Sequence, residues 1–202
     1  MNKIIFSLVF SLLLIGFGNF VHAEINRDPV IQIETELGNI VIELFIKDAP
    51  KHSQNFIVLT GSGYYDGTLF HRIIPGFMIQ GGDPNTIDGD PNTWGQGGPD
   101  DKLNAEFNSI KHNRGIVSMA RSQDVNSAGS QFFIVHNNSN FLDGEYTVFG
   151  RIITEESFET LDKIAAVGTG INDRPIEPEQ VRIIKSMVVE RSSIADILDL
   201  KQ

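Results

Sequence analysis

The chain contains no cysteine. That excludes a disulfide framework, a thiolate nucleophile and any metal site built on cysteine sulfur. It is compatible with an oxidising compartment but does not establish one. Basic residues are scarce, with 16 Lys and Arg against 26 Asp and Glu and a formal net charge of −10 at pH 7. Nucleic acid and anionic membrane surfaces, which bind through basic groups, are therefore poor partners. Long apolar runs are absent apart from one, Ile4 to Phe20. Hydrolytic signatures are missing as well. There is no Gly-x-Ser-x-Gly elbow and no His-Glu-x-x-His pair, and no two histidines sit at i, i+4 spacing.

What remains is an ordinary globular composition, 41% hydrophobic and 21% charged over 202 residues, enough for one well-buried domain. The apolar run follows Lys3 and ends in Val21-His22-Ala23, with small residues at the −3 and −1 positions of a cleavage site. This predicts a signal peptide over residues 1–23 cut before Glu24; the alternative is an uncleaved anchor. Export places the mature chain in a periplasm or, in another host, on the secretory route. After cleavage no stable membrane association is expected, and the chain is expected to be a monomer.

A domain over residues 24–190 follows, with a tail at 191–202. Val30 to Glu36 and Asn39 to Ile46 read as strands joined at Leu37-Gly38. Asp48-Ala49-Pro50 opens a helix that Asp48 is placed to cap, with Phe56, Leu59 and Thr60 facing inward and Gly61 ending it. Ile116 to Ala120, Gln131 to Val135, Thr147 to Ile153 and Val181 to Val189 read as further strands, and Glu155 to Ala166 as a second helix. In the tail, Ile194, Ile197, Leu198 and Leu200 have helix-like spacing, so it either docks as a short helix or frays. Asp83 to Asp101 is rich in Asp, Asn, Pro and Gly and reads as a solvated loop. A calcium-loop pattern fails there: Ile87 takes a ligand place and Trp94 stands where the bidentate Glu belongs. Short strands and two distant helices indicate a mostly β domain, without separating sandwich from barrel.

The most informative stretch is Phe70-His-Arg-Ile-Ile-Pro-Gly-Phe-Met-Ile-Gln-Gly-Gly-Asp83. Pro75-Gly76 between apolar runs is a reversal signal, so a hairpin is predicted. Alternation puts Arg72 and Phe70 on one face, His71 and Ile73 on the other. A strand arginine is ordinarily a solvated or salt-bridged surface residue, and a strand histidine such as His71 a packed, hydrogen-bonded one.

This stretch, with Gly115-Ile-Val-Ser-Met-Ala120, Asn126-Ser-Ala-Gly-Ser-Gln-Phe-Phe-Ile134, Phe141-Leu-Asp-Gly144 and Val148-Phe-Gly-Arg151, resembles the cyclophilins, the peptidyl-prolyl cis-trans isomerases. The resemblance runs from about Val30 to about Val188. It implies a closed eight-stranded antiparallel β-barrel capped by two α-helices, no cofactor, and proline-containing polypeptides as substrates. By the same resemblance Arg72 is the catalytic residue, Phe77, Met78, Phe133 and Leu142 form the proline pocket, and Gln80 and Gln131 orient Arg72 and the substrate backbone. Ala120, Arg121, Ser122 and Gly95 lie along the residue preceding proline. Phe141 stands where cyclosporin-sensitive members carry tryptophan, and Tyr146 where they carry histidine, so weak or no cyclosporin binding is expected. Arg121 stands where many members have asparagine. The rival function is a proline-peptide binding or chaperone module with incidental turnover, which would tolerate loss of Arg72 and Gln80.

Overall fold

A computed structural model describes residues 28–198. The expected signal peptide and the tail residues 199–202 lie outside the described residues. Among the described residues eight strands and two α-helices follow in the order β1 (Val30–Thr35), β2 (Gly38–Leu44), α1 (Pro50–Gly61), β3 (Arg72–Ile74), β4 (Met78–Gly81), β5 (Ile116–Met119), β6 (Phe132–Val135), β7 (Val148–Ile152), α2 (Glu155–Ala165) and β8 (Ile183–Val189). They form one antiparallel sheet in the order β3-β4-β6-β5-β7-β2-β1-β8. Most elements fall within one or two residues of the segments read from the sequence.

The expected closure is not met. The sheet curls through 219° and stays open, because edge strands β3 and β8 do not pair. β3 carries only three residues and pairs with β4 on one side. Irregular chain bridges the gap instead: Phe70 N donates to Val181 O at 3.1 Å, Ile183 N to Thr68 O at 2.8 Å, and Leu69 forms an isolated bridge with Arg182.

Inside the curl, Ile31, Ile33, Ile40, Ile42 and Leu44 from the first hairpin pack with Phe132, Phe149 and Ile134. Helix α1 inserts Phe56, whose ring lies 5.2 Å from Phe132 and 5.1 Å from Phe149, and α2 adds Leu161 and Ile164. Truncating a fully buried phenylalanine of this kind typically destabilises by about 3–5 kcal/mol.

Asp48 does not cap α1. The N-cap is Ala49, with Pro50 in the first turn and no local side-chain cap. A distant carboxylate takes over: Glu106 accepts from Lys51 N at 3.0 Å, His52 N at 3.0 Å and His52 Nδ1 at 2.7 Å. A carboxylate at a helix N-terminus satisfies orphan donors and opposes the dipole whatever its place in sequence. By contrast α2 is capped locally, Thr154 accepting from Ser157 N, with Glu155 and Glu156 in its first turn.

This arrangement predicts acid sensitivity. Burial lowers the pKa of His52, with the Glu106 hydrogen bond opposing it; burial lowers His112 likewise, opposed by Asp143, and His71, opposed by Asp83. In Glu106 burial pushes the carboxyl up, but hydrogen bonds from His52 and Lys51 outweigh it and hold it below its ordinary value. Histidines depressed below 6.5 stay neutral in the fold while the unfolded chain takes up protons, so stability falls as pH drops below about 6.5. Glu106 adds a second loss as pH falls through its depressed range. The melting temperature is expected to decline steadily between about pH 7 and pH 5. A flat profile over that interval contradicts the assignment.

The tail docks, though not as an α-helix. After a 3-10 turn at Arg191–Ser193, Ile194 and Ile197 pack on Val30, Val41 and Ile153, and Leu198 N donates to Ile153 O at 2.9 Å.

Candidate active site

The β3–β4 hairpin is the base of the site. Pro75 and Gly76 reverse the chain, Gly76 taking the left-handed φ of 77° that the turn requires, and Phe77 N closes it on Ile74 O at 3.0 Å. The register pairs Arg72 with Gln80 and Ile74 with Met78. The β4–β6 ladder then pairs Gln80 with Phe133 and Met78 with Val135. Directly opposed residues share a face, so Arg72, Gln80, Met78 and Phe133 belong to one surface. Ile73, Ile79 and Ile134 turn the other way, into the main core.

Phe70 does not share the face of Arg72. It is fully buried in the main core with Ile73, because the chain at Leu69 to His71 precedes the ladder and does not keep its alternation. His71 is buried as expected, yet neither ring nitrogen has a hydrogen-bond partner among the described residues.

On the functional face an apolar patch forms a second cluster. Met78, Phe133 and Leu142 are buried in it, with Phe77 and Tyr146 partly buried against them. Phe133 is held by ring contacts, stacked on His112 at 6.1 Å and edge-on to Tyr146 at 5.5 Å. His112 is itself fixed at both nitrogens, Nδ1 to Asp143 at 3.0 Å and Nε2 to Ser118 Oγ at 3.1 Å. Phe141 sits at the rim, 74% exposed, its ring 5.5 Å from Phe77.

Beside the patch is a polar hollow of about 390 Å³. Gln80, Gly95, Ala120, Arg121, Ser122 and Gln131, all assigned by the resemblance, line it together with Gly97 and Lys102. A relay fixes the amides at its border: Gln80 Nε2 donates to Gln131 Oε1 at 2.9 Å, and Gln131 Nε2 to Gly97 O at 2.8 Å. Arg121 turns its side chain back onto the protein. Its guanidinium lies 4.6 Å above the Tyr146 ring and its Nε donates to Glu145 O at 3.1 Å.

The 83–101 segment is less solvated than its composition indicates. Asp83 is fully buried, and its carboxylate accepts from Asn85 N at 2.8 Å, Gly97 N at 3.3 Å and Gly95 N. Gly97 must be glycine here, since an added Cβ would lie 2.1 Å from Asp83 Oδ1.

Arg72 stands at the edge, its side chain 43% exposed, with Nε donating to Asp173 Oδ2 at 3.3 Å. Sequence reasoning missed Asp173, Asp83, His112 and the Gly97 carbonyl. Asp173 reaches Arg72 across 101 residues and His112 reaches Asp143 across 31, while Asp83 combines a two-residue turn to Asn85 with Gly95 and Gly97 further on, and no motif spacing encodes these sets. The run of acids and glycines after Asp83 was the only available hint that backbone donors there need a buried acceptor.

Chemically, the face joins an apolar slot fit for a ring, fixed amides fit for peptide backbone, and a permanent cation at the boundary. Nothing in it requires a nucleophile.

Comparison with known proteins agrees. The family model described as cyclophilin type peptidyl-prolyl cis-trans isomerase/CLD matches residues 30–188. Peptidyl-prolyl cis-trans isomerase CYP18-1 of Arabidopsis thaliana is 48% identical over 149 residues, 72% of this chain and 88% of that protein. Peptidyl-prolyl cis-trans isomerase ppi1 of Schizosaccharomyces pombe is 41% identical over 162 residues, 79% of this chain and 98% of that protein. A cyclophilin type isomerase of Cryptosporidium parvum, crystallised in the presence of the dipeptide Ala-Pro, superposes with a TM-score of 0.71 at 36% identity, covering 80% of this chain and 99% of that one.

Proposed function

This chain belongs to the cyclophilin-type peptidyl-prolyl cis-trans isomerases, and we propose that it turns X-Pro bonds with Arg72 as the donor to the twisted imide, outside the cytoplasm. The observation that carries the mechanism is the register of β3, β4 and β6, which pairs Arg72 with Gln80 and Gln80 with Phe133. Rotation about a peptide bond breaks amide resonance, a barrier of about 18–20 kcal/mol. Unassisted X-Pro isomerisation takes about 10–100 s, so turnover in milliseconds needs roughly 5–7 kcal/mol of transition-state stabilisation.

At the half-turn the imide nitrogen becomes pyramidal and regains its lone pair. A donor aimed at that lone pair acts only there, which is differential binding. One preorganised donor contributes about 3–4 kcal/mol. Met78, Phe133 and Leu142 hold the proline ring, Phe77 and Tyr146 flank it, and the Gln80–Gln131–Gly97 relay holds the substrate backbone, so orientation supplies the remainder. Ala120, Arg121, Ser122 and Gly95 receive the residue before proline.

Clients are proline-containing polypeptides that refold after export, where slow X-Pro bonds limit folding. The apolar leader supports this reading. Mass spectrometry of the processed chain is expected to give Glu24 as the first residue, in the periplasmic fraction of a bacterial host; an intact Met1 in membranes contradicts it.

Cyclosporin is expected to bind weakly. Phe141, at the exposed rim beside Phe77, has no indole N–H to donate. Phe141→Trp is expected to tighten binding by roughly tenfold, the net value of one hydrogen bond of about 1.4 kcal/mol. A sub-micromolar inhibition constant for the native chain contradicts this.

A further inference from the structure

The Arg72 side chain has a single hydrogen-bond partner among the described residues, and it comes from a loop far along the chain. Residues 168–176 form a tight excursion between α2 and β8. Gly170 N donates to Arg174 O at 2.8 Å, Ile176 N to Gly168 O at 2.9 Å, and Thr169 bridges Pro175. At its tip Asn172 and Asp173 both take left-handed backbone, with φ of 60° and 59°. Side chains with a Cβ disfavour that region, and Asn and Asp tolerate it better than most. Two such residues in succession persist because the closed loop over-determines them, the kind of local strain found beside working sites. Its result is that Asp173 Oδ2 accepts from Arg72 Nε at 3.3 Å.

We propose that Asp173 is a positioning residue for the isomerase reaction, pinning one edge of the Arg72 guanidinium while the Nη groups remain for the substrate imide. The inference rests on Arg72 being the donor. A guanidinium is a rigid planar fork, so fixing Nε fixes the plane of the other donors. Arg72 otherwise has a long stem on an edge strand, and each substrate would have to order it anew. The Asp173 contact orders it beforehand. Both side chains are nearly half exposed, 43% and 45%. The pair therefore contributes little to folding and is weakened by salt, which separates a positioning role from a structural one.

The test compares Asp173→Ala, Asp173→Asn and Arg72→Ala in full-length protein, using Ala-Pro peptide isomerisation, melting temperature and the Nε–Hε NMR signal that Arg72→Ala removes. Asp173→Ala is expected to lower kcat about threefold to tenfold with KM within about twofold, leave melting unchanged and shift the Arg72 signal. Asp173→Asn keeps an acceptor and is expected to recover most of the rate. Added salt is expected to lower the rate of the native chain but not that of Asp173→Ala. A native kcat in Asp173→Ala, or a loss that Asn does not rescue, beside a crippled Arg72→Ala overturns the proposal alone. A native rate in Arg72→Ala overturns the reading of Arg72 and this proposal with it.

Discussion

Replacing Arg72 with alanine is expected to lower kcat for an Ala-Pro peptide by about a hundredfold or more while leaving peptide affinity within a few fold. One preorganised donor aimed at developing charge contributes about 2.7–4 kcal/mol, or roughly 10²- to 10³-fold. The side chain is 43% exposed in the free protein, which argues for the lower end until substrate covers it. Ground-state affinity is expected to survive, because the proposed grip on the ring lies in the packed Met78, Phe133 and Leu142 cluster and the proposed grip on the backbone in the Gln80–Gln131 pair, neither of which uses Arg72. Arg72→Lys is expected to rescue little, since an ammonium lacks the planar fork and is more strongly hydrated. A fall in affinity that accounts for the whole rate loss contradicts the donor role.

Replacing Asp83 with alanine is expected to have the largest combined effect on stability and activity. The carboxylate is fully buried and accepts backbone N–H groups of Asn85, Gly95 and Gly97. Removing it strands those donors, at about 1–3 kcal/mol for each that water does not reach. The damage reaches the site by a short path. Gly97 O receives Gln131 Nε2, and Gln131 Oε1 receives Gln80 Nε2. Without Asp83 the Gly95–Gly97 wall is expected to loosen, raising KM several-fold and lowering the urea midpoint. Asp83→Asn is expected to fall between, because its amide nitrogen offers a donor where acceptors are needed. A variant that melts normally and binds normally contradicts the anchoring role.

The hairpin was legible from local chemistry, because Pro75-Gly76 marks the turn that pairs Arg72 with Gln80. The site residues were not: local chemistry alone reads Arg72 as an ordinary surface arginine, and only the family resemblance singled it out. Legibility fails where the backbone leaves the ladder. Phe70 was assigned to the Arg72 face by alternation, but three residues of irregular chain before β3 break the count and send it into the core. The α1 cap failed for a related reason: Asp48 is near in sequence, yet Glu106 wins because its carboxylate reaches two backbone donors and His52 together. Closure of the barrel was an inference from family likeness, and the sheet stays open because β3 and β8 do not pair. Asp173 lies 101 residues from Arg72, a separation no spacing rule crosses.

The role of the Arg72 guanidinium is tested most directly on the enzyme-bound peptide. NMR exchange spectroscopy on a proline peptide, with enzyme at substoichiometric concentration, reads cis–trans interconversion and binding separately. The native chain is expected to interconvert bound peptide within milliseconds, and Arg72→Ala to bind the same peptide with exchange slowed by about two orders of magnitude. Equal on-enzyme exchange rates in the two proteins would contradict the mechanism.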